Sequence, residues 1–404
     1  MRGRTDIAVI GGGPCGSFSA LTAARLGADV EVFEEHTEIG APQHCAGLLS
    51  LSGLKRIPLQ LPPEVVENEV KGAVFYSPSG EELVIGRDIP VSYVIDRELF
   101  DKYLSELAKA AGAKYFLGSR VTSIVSDSGV VSGVAIQGTR TRNRVAAHIV
   151  IDAEGCSSVL LKRVGLTPLD AHMVVNAIQA DVDKVEDVDL EAVEVYLGRR
   201  YAPGFFAWII PRRDTSAKIG LATRRGDPRD YLQRFMKHHP IASKKLKQTK
   251  VRGISLHSIP LGGMIPKAYS NGFLVVGDAA SQVKPTTGGG VVFGLLCSKI
   301  AGAVAAEALK TNDFSETALS CYQHRCRDLI GFELAIMRQM RRLINRLSDN
   351  RVDNAIALAN RLELNRSLEA VGDMDFQGRS LVHAIRHPTV LTTMIYLILS
   401  SLFP

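Results

Sequence analysis

The run Gly11-Gly12-Gly13-Pro14-Cys15-Gly16 fits GxGxxG, with Gly11, Gly13 and Gly16 as the defining glycines. Missing side chains let a backbone approach a pyrophosphate, and the N–H groups at a helix start, here including that of Cys15, supply donors for it. Glu34 follows eighteen residues after Gly16. A carboxylate there accepts hydrogen bonds from a ribose hydroxyl pair, which favours an adenosine without a 2′-phosphate. A second constellation stands far along the chain: Asn271 to Ala280 reads NGFLVVGDAA, and Pro285-Thr286-Thr287-Gly288-Gly289-Gly290 follows. Asp278 at a strand end can hold a ribityl hydroxyl. The backbone of Gly289, Gly290 and Val291 can approach a flavin ring, where helix-start N–H groups stabilise negative charge. The two halves together point to FAD rather than NAD.

The elements that must position these residues are legible in outline. Asp6 to Ile10 reads as a strand, Ser17 to Leu26 as an apolar helix and Val30 to Phe33 as a second strand, which makes a βαβ unit. Asp96 to Ala111 has the period of an amphipathic helix, and Val121 to Val125, Val130 to Ile136 and Ala147 to Asp152 are β-branched strands. Strands are also expected at Val193 to Leu197, Phe205 to Ile210, Ala217 to Ala222 and Phe273 to Gly277; helices resume at Asp227, and Val291 to Leu309 is helical. The expected fold class is α/β: a Rossmann-like FAD-binding domain in discontinuous pieces (1–70, 96–165 and 266–312), a mostly antiparallel β substrate domain (71–95 and 166–265), and a helical C-terminal region over 313–404.

Gly11 to Gly16, Glu34, Asp96-Arg97 before the long helix, Asp152-Ala153-Glu154-Gly155 and Gly277-Asp278 together resemble the flavoprotein superfamily of p-hydroxybenzoate hydroxylase. The resemblance implies FAD contacts for Arg97 near the pyrophosphate and for the backbone of Val121 near the adenine. Within that superfamily two stretches resemble the geranylgeranyl reductase family. The first, Ile39-Gly40-Ala41-Pro42-Gln43-His44-Cys45-Ala46-Gly47-Leu48, is similar to its cysteine loop beside the isoalloxazine, which implies flavin contacts for Cys45, Ala46 and Leu48 and a catalytic role for Cys45. The second, Ala202 to Arg212, resembles its signature over a substrate cavity, which implies Phe206, Trp208 and Pro211 as lining. Phe206 and Arg212 stand where relatives often carry Tyr and Lys, and Ala46-Gly47-Leu48 departs from a loop with two glycines and a glutamate. His44 reads as a solvated loop residue. Trp208, the one tryptophan, reads equally as core filler or as a rigid wall for a polyprenyl chain.

The activity this implies is reduction of isolated C=C bonds in geranylgeranyl chains, by hydride from reduced flavin N5, with a polyprenyl lipid as substrate. The electron donor stays open among ferredoxin, a reduced deazaflavin and NAD(P)H. Two rival readings are an aromatic monooxygenase using NAD(P)H and oxygen, and an electron carrier to quinone.

Composition narrows the partners. Forty-six per cent hydrophobic and 22% charged residues describe an ordered globular chain, and a net charge of +6 without any stacking or helix-turn-helix motif argues against nucleic acid. Six cysteines, with no CxxC and no Cys/His spacing, give no metal site. No signal-peptide pattern opens the sequence, so a cytoplasmic, peripherally membrane-associated protein is expected. Arg338, Arg341, Arg342 and Arg346 crowd one helical stretch, as a solvated face or as a surface for anionic lipid or a diphosphate. Thr389 to Pro404 is uncharged yet shorter than the roughly 20 residues a span needs. It is either a packed helix or an interfacial one.

Overall fold

The computed structural model describes residues 4–43, 45–138, 143–365 and 373–402. His44 and the last two residues of the apolar tail therefore lie outside the described residues. The chain forms two compact units, one of 1–43, 97–173 and 260–334, the other of 44–96, 174–259 and 335–404. Residues 44–70, 166–173, 260–265 and 313–334 thus fall in a different unit from their expected piece. Leu48–Ser50 and Val66–Val70 both pair with Ser92–Ile95 in a small antiparallel sheet of the second unit, which is why they leave the first. In the first unit, Glu316–Cys326 packs on the strands Tyr269–Ser270 and Phe273–Val275.

In the first unit, Thr5–Ile10 lies between Arg144–Asp152 and Val30–Phe33 in parallel register, with Ile10 opposite both Asp152 and Phe33. Phe273–Val275 and Lys114–Phe116 extend the parallel sheet outward on either side. Ser119–Asp127 and Val130–Gly138 form an antiparallel hairpin that continues from Arg144–Asp152. The core strands are near-continuous apolar runs, as a sheet covered on both faces requires. Pro14–Arg25 packs between Val291–Thr311 and Arg97–Ala110. Val291–Thr311 has the length and mean hydropathy (1.7) of a membrane span, but 72% of its apolar window is buried inside the unit, so it is a core helix here. Small residues permit the contact: a Cβ on Gly302 would stand 2.6 Å from Ser19 O.

In the second unit, seven strands run in the order Lys250–Pro260, Val174–Asp183, Ala217–Thr223, Ala207–Pro211, Ala192–Tyr196, Gly72–Tyr76, Glu82–Gly86. From Val174–Asp183 onward the pairings are antiparallel except Ala192–Tyr196 with Gly72–Tyr76, which is parallel. One face is an apolar core of Ile178, Ala180, Ala207, Ile209, Ile219 and Leu221, closed by Leu232 and Phe235 of helix Pro228–His238. Asp227 caps that helix through the N–H of Arg229. The strand Lys250–Pro260 was not expected after it. As an edge strand it leaves Val251, Ile254 and Leu256 in solvent, so it carries no in-out alternation to read.

The end of the chain is helical as expected. Helix Pro388–Leu402 packs Val390 and Met394 on Leu83, Ile356 and Ala384, while Leu391, Ile395, Ile398 and Leu399 form an exposed stripe along it.

Candidate functional site

Gly11 leaves the first strand at φ +91°, a region side chains disfavour, and a Cβ on it would stand 2.5 Å from Ala153 O. Gly16 has no more room, since its Cβ would meet Gly11 O. Gly13 differs: nothing lies within 4 Å of where its Cβ would be. The protein itself does not require glycine there, so the open side of the turn is the side a ligand approaches. Gly13 caps Pro14–Arg25 without any side-chain bond, and the first turn holds no acidic residue, so its N–H donors remain available to an anion.

Glu34 ends the second strand and joins the turn, accepting from Gly12 N (2.7 Å) and, through its other oxygen, from His36 N (2.9 Å). The His36 ring also meets that second oxygen through Nδ1 (2.6 Å), so the oxygen facing Gly12 is the one that keeps a lone pair for a hydroxyl. Ser119 N donates to Glu34 O, which brings the strand holding Val121 to the same end of the sheet.

Gly290 caps Val291–Thr311, again without a side-chain bond and with no acid in the first turn. Asp278 lies beside it, because a Cβ on Gly290 would be 3.1 Å from Asp278 Oδ1. A Cβ on Gly289 would be 2.8 Å from Lys284 Cε. Burial pushes the Asp278 carboxyl up to about 6, with the charge of Arg97 pulling against it. Arg97 is held in place by Asp101, one helical turn on, at 3.0 Å. Cys15 feels Asp278, Arg97 and Asp101 together, and burial above all pushes its thiol up to about 12. Its sulfur sits close to where Cβ atoms on Gly277 or Gly294 would be, so the thiol fills the space those glycines leave. The first unit thus gathers Gly13, Cys15, Arg97, Asp278 and two uncapped helix starts. That set fits a dinucleotide with a pyrophosphate at one helix and an anionic ring at the other.

Buried polar groups that the sequence did not reveal lock this arrangement. Gly277 N donates to Gln282 Oε1 (2.8 Å), Gln282 Nε2 to the Tyr322 hydroxyl (2.8 Å), and that hydroxyl to Val275 O (2.6 Å). Asp152 accepts from Glu154 N, and burial together with the Glu154 charge holds its carboxyl well above the usual range.

The second unit carries the cysteine loop and the aromatic signature. Gln179 Nε2 donates to Cys45 O at 3.3 Å, and Ile95 N to Gly47 O at 2.8 Å. Gly47 adopts φ +76°, where a Cβ would stand 2.4 Å from Ile95 O. Leu48 opens the strand Leu48–Ser50, and Ala46 is half-buried beside Cys45. Below the loop Lys218, fully buried, donates to Ile95 O (2.9 Å) and pairs with Glu67 (2.7 Å). Arg212 reaches Glu67 (3.2 Å) and Asp181 (2.6 Å), so its guanidinium serves this four-membered charge cluster.

Register puts Gln179, Gly220 and Trp208 side by side on the sheet face opposite the helix-covered core. Trp208 lies over Gly220, whose Cβ would be 2.5 Å from its ring. The Trp208 Nε1 and Gln179 Oε1 atoms are buried there without a hydrogen-bond partner among the described residues. Phe206 meets Trp208 edge-on, with centroids 6.1 Å apart. Pro211 does not join them. Strand alternation sets it with Ala207 and Ile209 on the core face, where its carbonyl accepts from Asn68.

A model of the FAD binding domain family matches residues 4–329. The digeranylgeranylglycerophospholipid reductase of Methanocaldococcus jannaschii is 33% identical over 380 residues, covering 93% of this chain and 94% of its own length. Digeranylgeranylglycerophospholipid reductase 2 of Methanothermobacter thermautotrophicus is 35% identical over 354 residues, 86% of this chain and 90% of its own. Among solved structures, a geranylgeranyl bacteriochlorophyll reductase-like protein from Thermoplasma acidophilum matches with a TM-score of 0.87 at 27% identity, over 98% of this chain and 99% of that one. A flavin-dependent brominase, at a TM-score of 0.67 and 19% identity over 85% of this chain and 94% of its own, shares the fold.

Proposed function

Because the chain belongs to the digeranylgeranylglycerophospholipid reductase family, we propose that it saturates isolated C=C bonds in the geranylgeranyl chains of an archaeal-type ether phospholipid, with FAD as cofactor. The observation that carries this reading is similarity to named reductases along nearly the whole chain, joined to a cradle that suits a flavin dinucleotide. When bound, FAD supplies hydride from N5 of its reduced form to one alkene carbon, while the other carbon takes a proton. The N–H groups of Gly13 and Cys15 would bind the pyrophosphate, Glu34 the ribose and Asp278 the ribityl chain. The helix start at Val291 stabilises charge on the ring's pyrimidine side. An unactivated alkene is a poor hydride acceptor, so the remaining work is alignment, which contributes about 7 to 11 kcal/mol in well-oriented systems. Phe206 and Trp208 give the chain a rigid apolar wall, and Lys218, Glu67 and Gln179 fix the backbone of the cysteine loop.

Cys45 acts, in this reading, on the progress of the reaction and not on cofactor retention. Dithionite-reduced protein offered geranylgeranyl phospholipid, with products read by mass, tests both statements. Wild type gains two hydrogens per double bond, and Cys45→Ala keeps its flavin yet accumulates partly saturated product. No mass gain by wild type would refute the reaction, and identical product profiles would return Cys45 to a packing role.

The exposed stripe of Leu391, Ile395, Ile398 and Leu399, with Arg386 and His387 exposed at its start, is proposed to rest on an anionic membrane surface. Replacing Ile395 and Leu399 by Glu should release the protein from anionic vesicles while sparing its visible spectrum.

A further inference from the structure

We propose that Arg341 and Arg224 form the seat for the phosphate head group of the prenyl substrate, with Phe205, Phe206 and Trp208 receiving its chain. The inference rests on the prenyl-lipid reading above and adds to it the place where the polar end binds. Of the four crowded arginines in the sequence, Arg338, Arg342 and Arg346 stay exposed and Arg341 turns inward. Its Nη2 donates to Gly204 O, and its guanidinium stands 4.9 Å from the centroid of Phe205. Arg224 reaches the same turn from the end of strand Ala217–Thr223. Its N–H donates to Pro203 O at 2.9 Å, and its side chain lies along Gly204, where an added Cβ would come within 2.8 Å of Arg224 Cβ.

Two like charges on one turn repel each other. Burial and the Arg224 charge bring the Arg341 guanidinium down to about 10, which leaves it a cation at neutral pH. An anion between them relieves that repulsion, and guanidinium forks match phosphate oxygens. From this cationic end an aromatic row leads away. Phe205 stacks on Phe206 (4.1 Å, 18°), and Phe206 meets Trp208 edge-on (72°). A charged end joined to an apolar row matches one ligand class, an anionic head on a prenyl chain.

Trp208 is the one tryptophan, so its fluorescence reports occupancy of the row without turnover. Oxidised holoenzyme, with no reductant, is titrated with geranylgeranyl monophosphate, geranylgeraniol and inorganic phosphate. Wild type should bind the prenyl phosphate at least about tenfold more tightly than the alcohol, the size of a charge-assisted bond. Arg341→Met and Arg224→Met should each lower that preference by about tenfold and leave alcohol binding and the flavin spectrum unchanged, with Arg341→Lys in between. Arg224 is exposed, so its variant reads out even where Arg341→Met fails to fold. Equal affinity for phosphate and alcohol in wild type, or an unchanged preference in the variants, would overturn the proposal. Inorganic phosphate binding as tightly as the prenyl phosphate would make this a free-anion site and overturn it as well. If prenyl phosphate binding behaves as expected but no lipid is ever reduced, the head-group seat stands and the proposed reaction falls.

Discussion

The two units prepare for chemistry in opposite ways. The first works by leaving groups out: Gly13 projects into open space, two helices begin without caps, and their backbone donors wait for an anion. The second works by pairing charges: buried Lys218 and the half-buried Glu67, Arg212 and Asp181 neutralise one another beneath the cysteine loop. A backbone cradle tolerates the empty state well, because water can satisfy its donors. A charge cluster built on a buried lysine does not, since losing one member strands the others.

The largest effect on flavin binding should come from closing the open position. Gly13→Val leaves the fold intact, because no protein atom contests the side chain, but it fills the space the pyrophosphate needs. Flavin affinity should fall by about a hundredfold or more, roughly 3 kcal/mol, and the protein should elute colourless and folded by circular dichroism. Yellow Gly13→Val protein would break the distinction between open and contested glycines.

Next comes the charge cluster. Lys218→Met should cost about 3 to 5 kcal/mol of stability in denaturant unfolding, the range for breaking a buried pair. Lys218→Met with Glu67→Gln should recover part of that. A double variant no better than the single would show that the cluster is not coupled.

These two predictions also mark what sequence reading reached. A backbone cradle is encoded locally, so 11–16 with Glu34, and 277–291 with Asp278, announced themselves through glycine spacing and one acidic residue each. The cluster draws Glu67, Asp181, Arg212 and Lys218 from distant strands, and each alone looks like an ordinary surface charge. Arg212 was read only as a departure from a signature; its partners explain it. Pro211 was read with Trp208 because they are neighbours in a motif, but a period of two sets 208 and 211 on opposite faces. Lys250–Pro260 was missed because an edge strand need not alternate. Arg341 was legible as charge and not as place, since only the fold brings it to Gly204.

Glu34→Ala is a smaller perturbation, about 1 to 3 kcal/mol in FAD affinity by titration of stripped protein, because it removes a charged acceptor and frees Gly12 N. A loss as large as that of Gly13→Val would mean that the carboxylate, and not the open turn, dominates binding.

The last effect is pH-dependent. The Asp278 carboxyl has an ordinary value of 3.8 and sits at about 6 when folded. Between those values the unfolded chain releases this proton more readily than the folded one, so stability falls as pH rises, and the loss is complete above about pH 6. Flavin-stripped Asp278→Asn should therefore match wild type near pH 4 and exceed it above about pH 6. A variant less stable than wild type at neutral pH would show that burial does not disfavour the charged carboxylate at this position.

The most direct test of the central claim is anaerobic. Protein whose flavin has been fully reduced by dithionite, with excess reductant removed, is mixed with geranylgeranyl phospholipid and nothing else, and the flavin absorbance is followed while the lipid is sampled by mass. The flavin band should return as the lipid gains two hydrogens for each flavin reoxidised. A band that stays bleached beside unreacted lipid, and returns only when oxygen is admitted, would contradict the account.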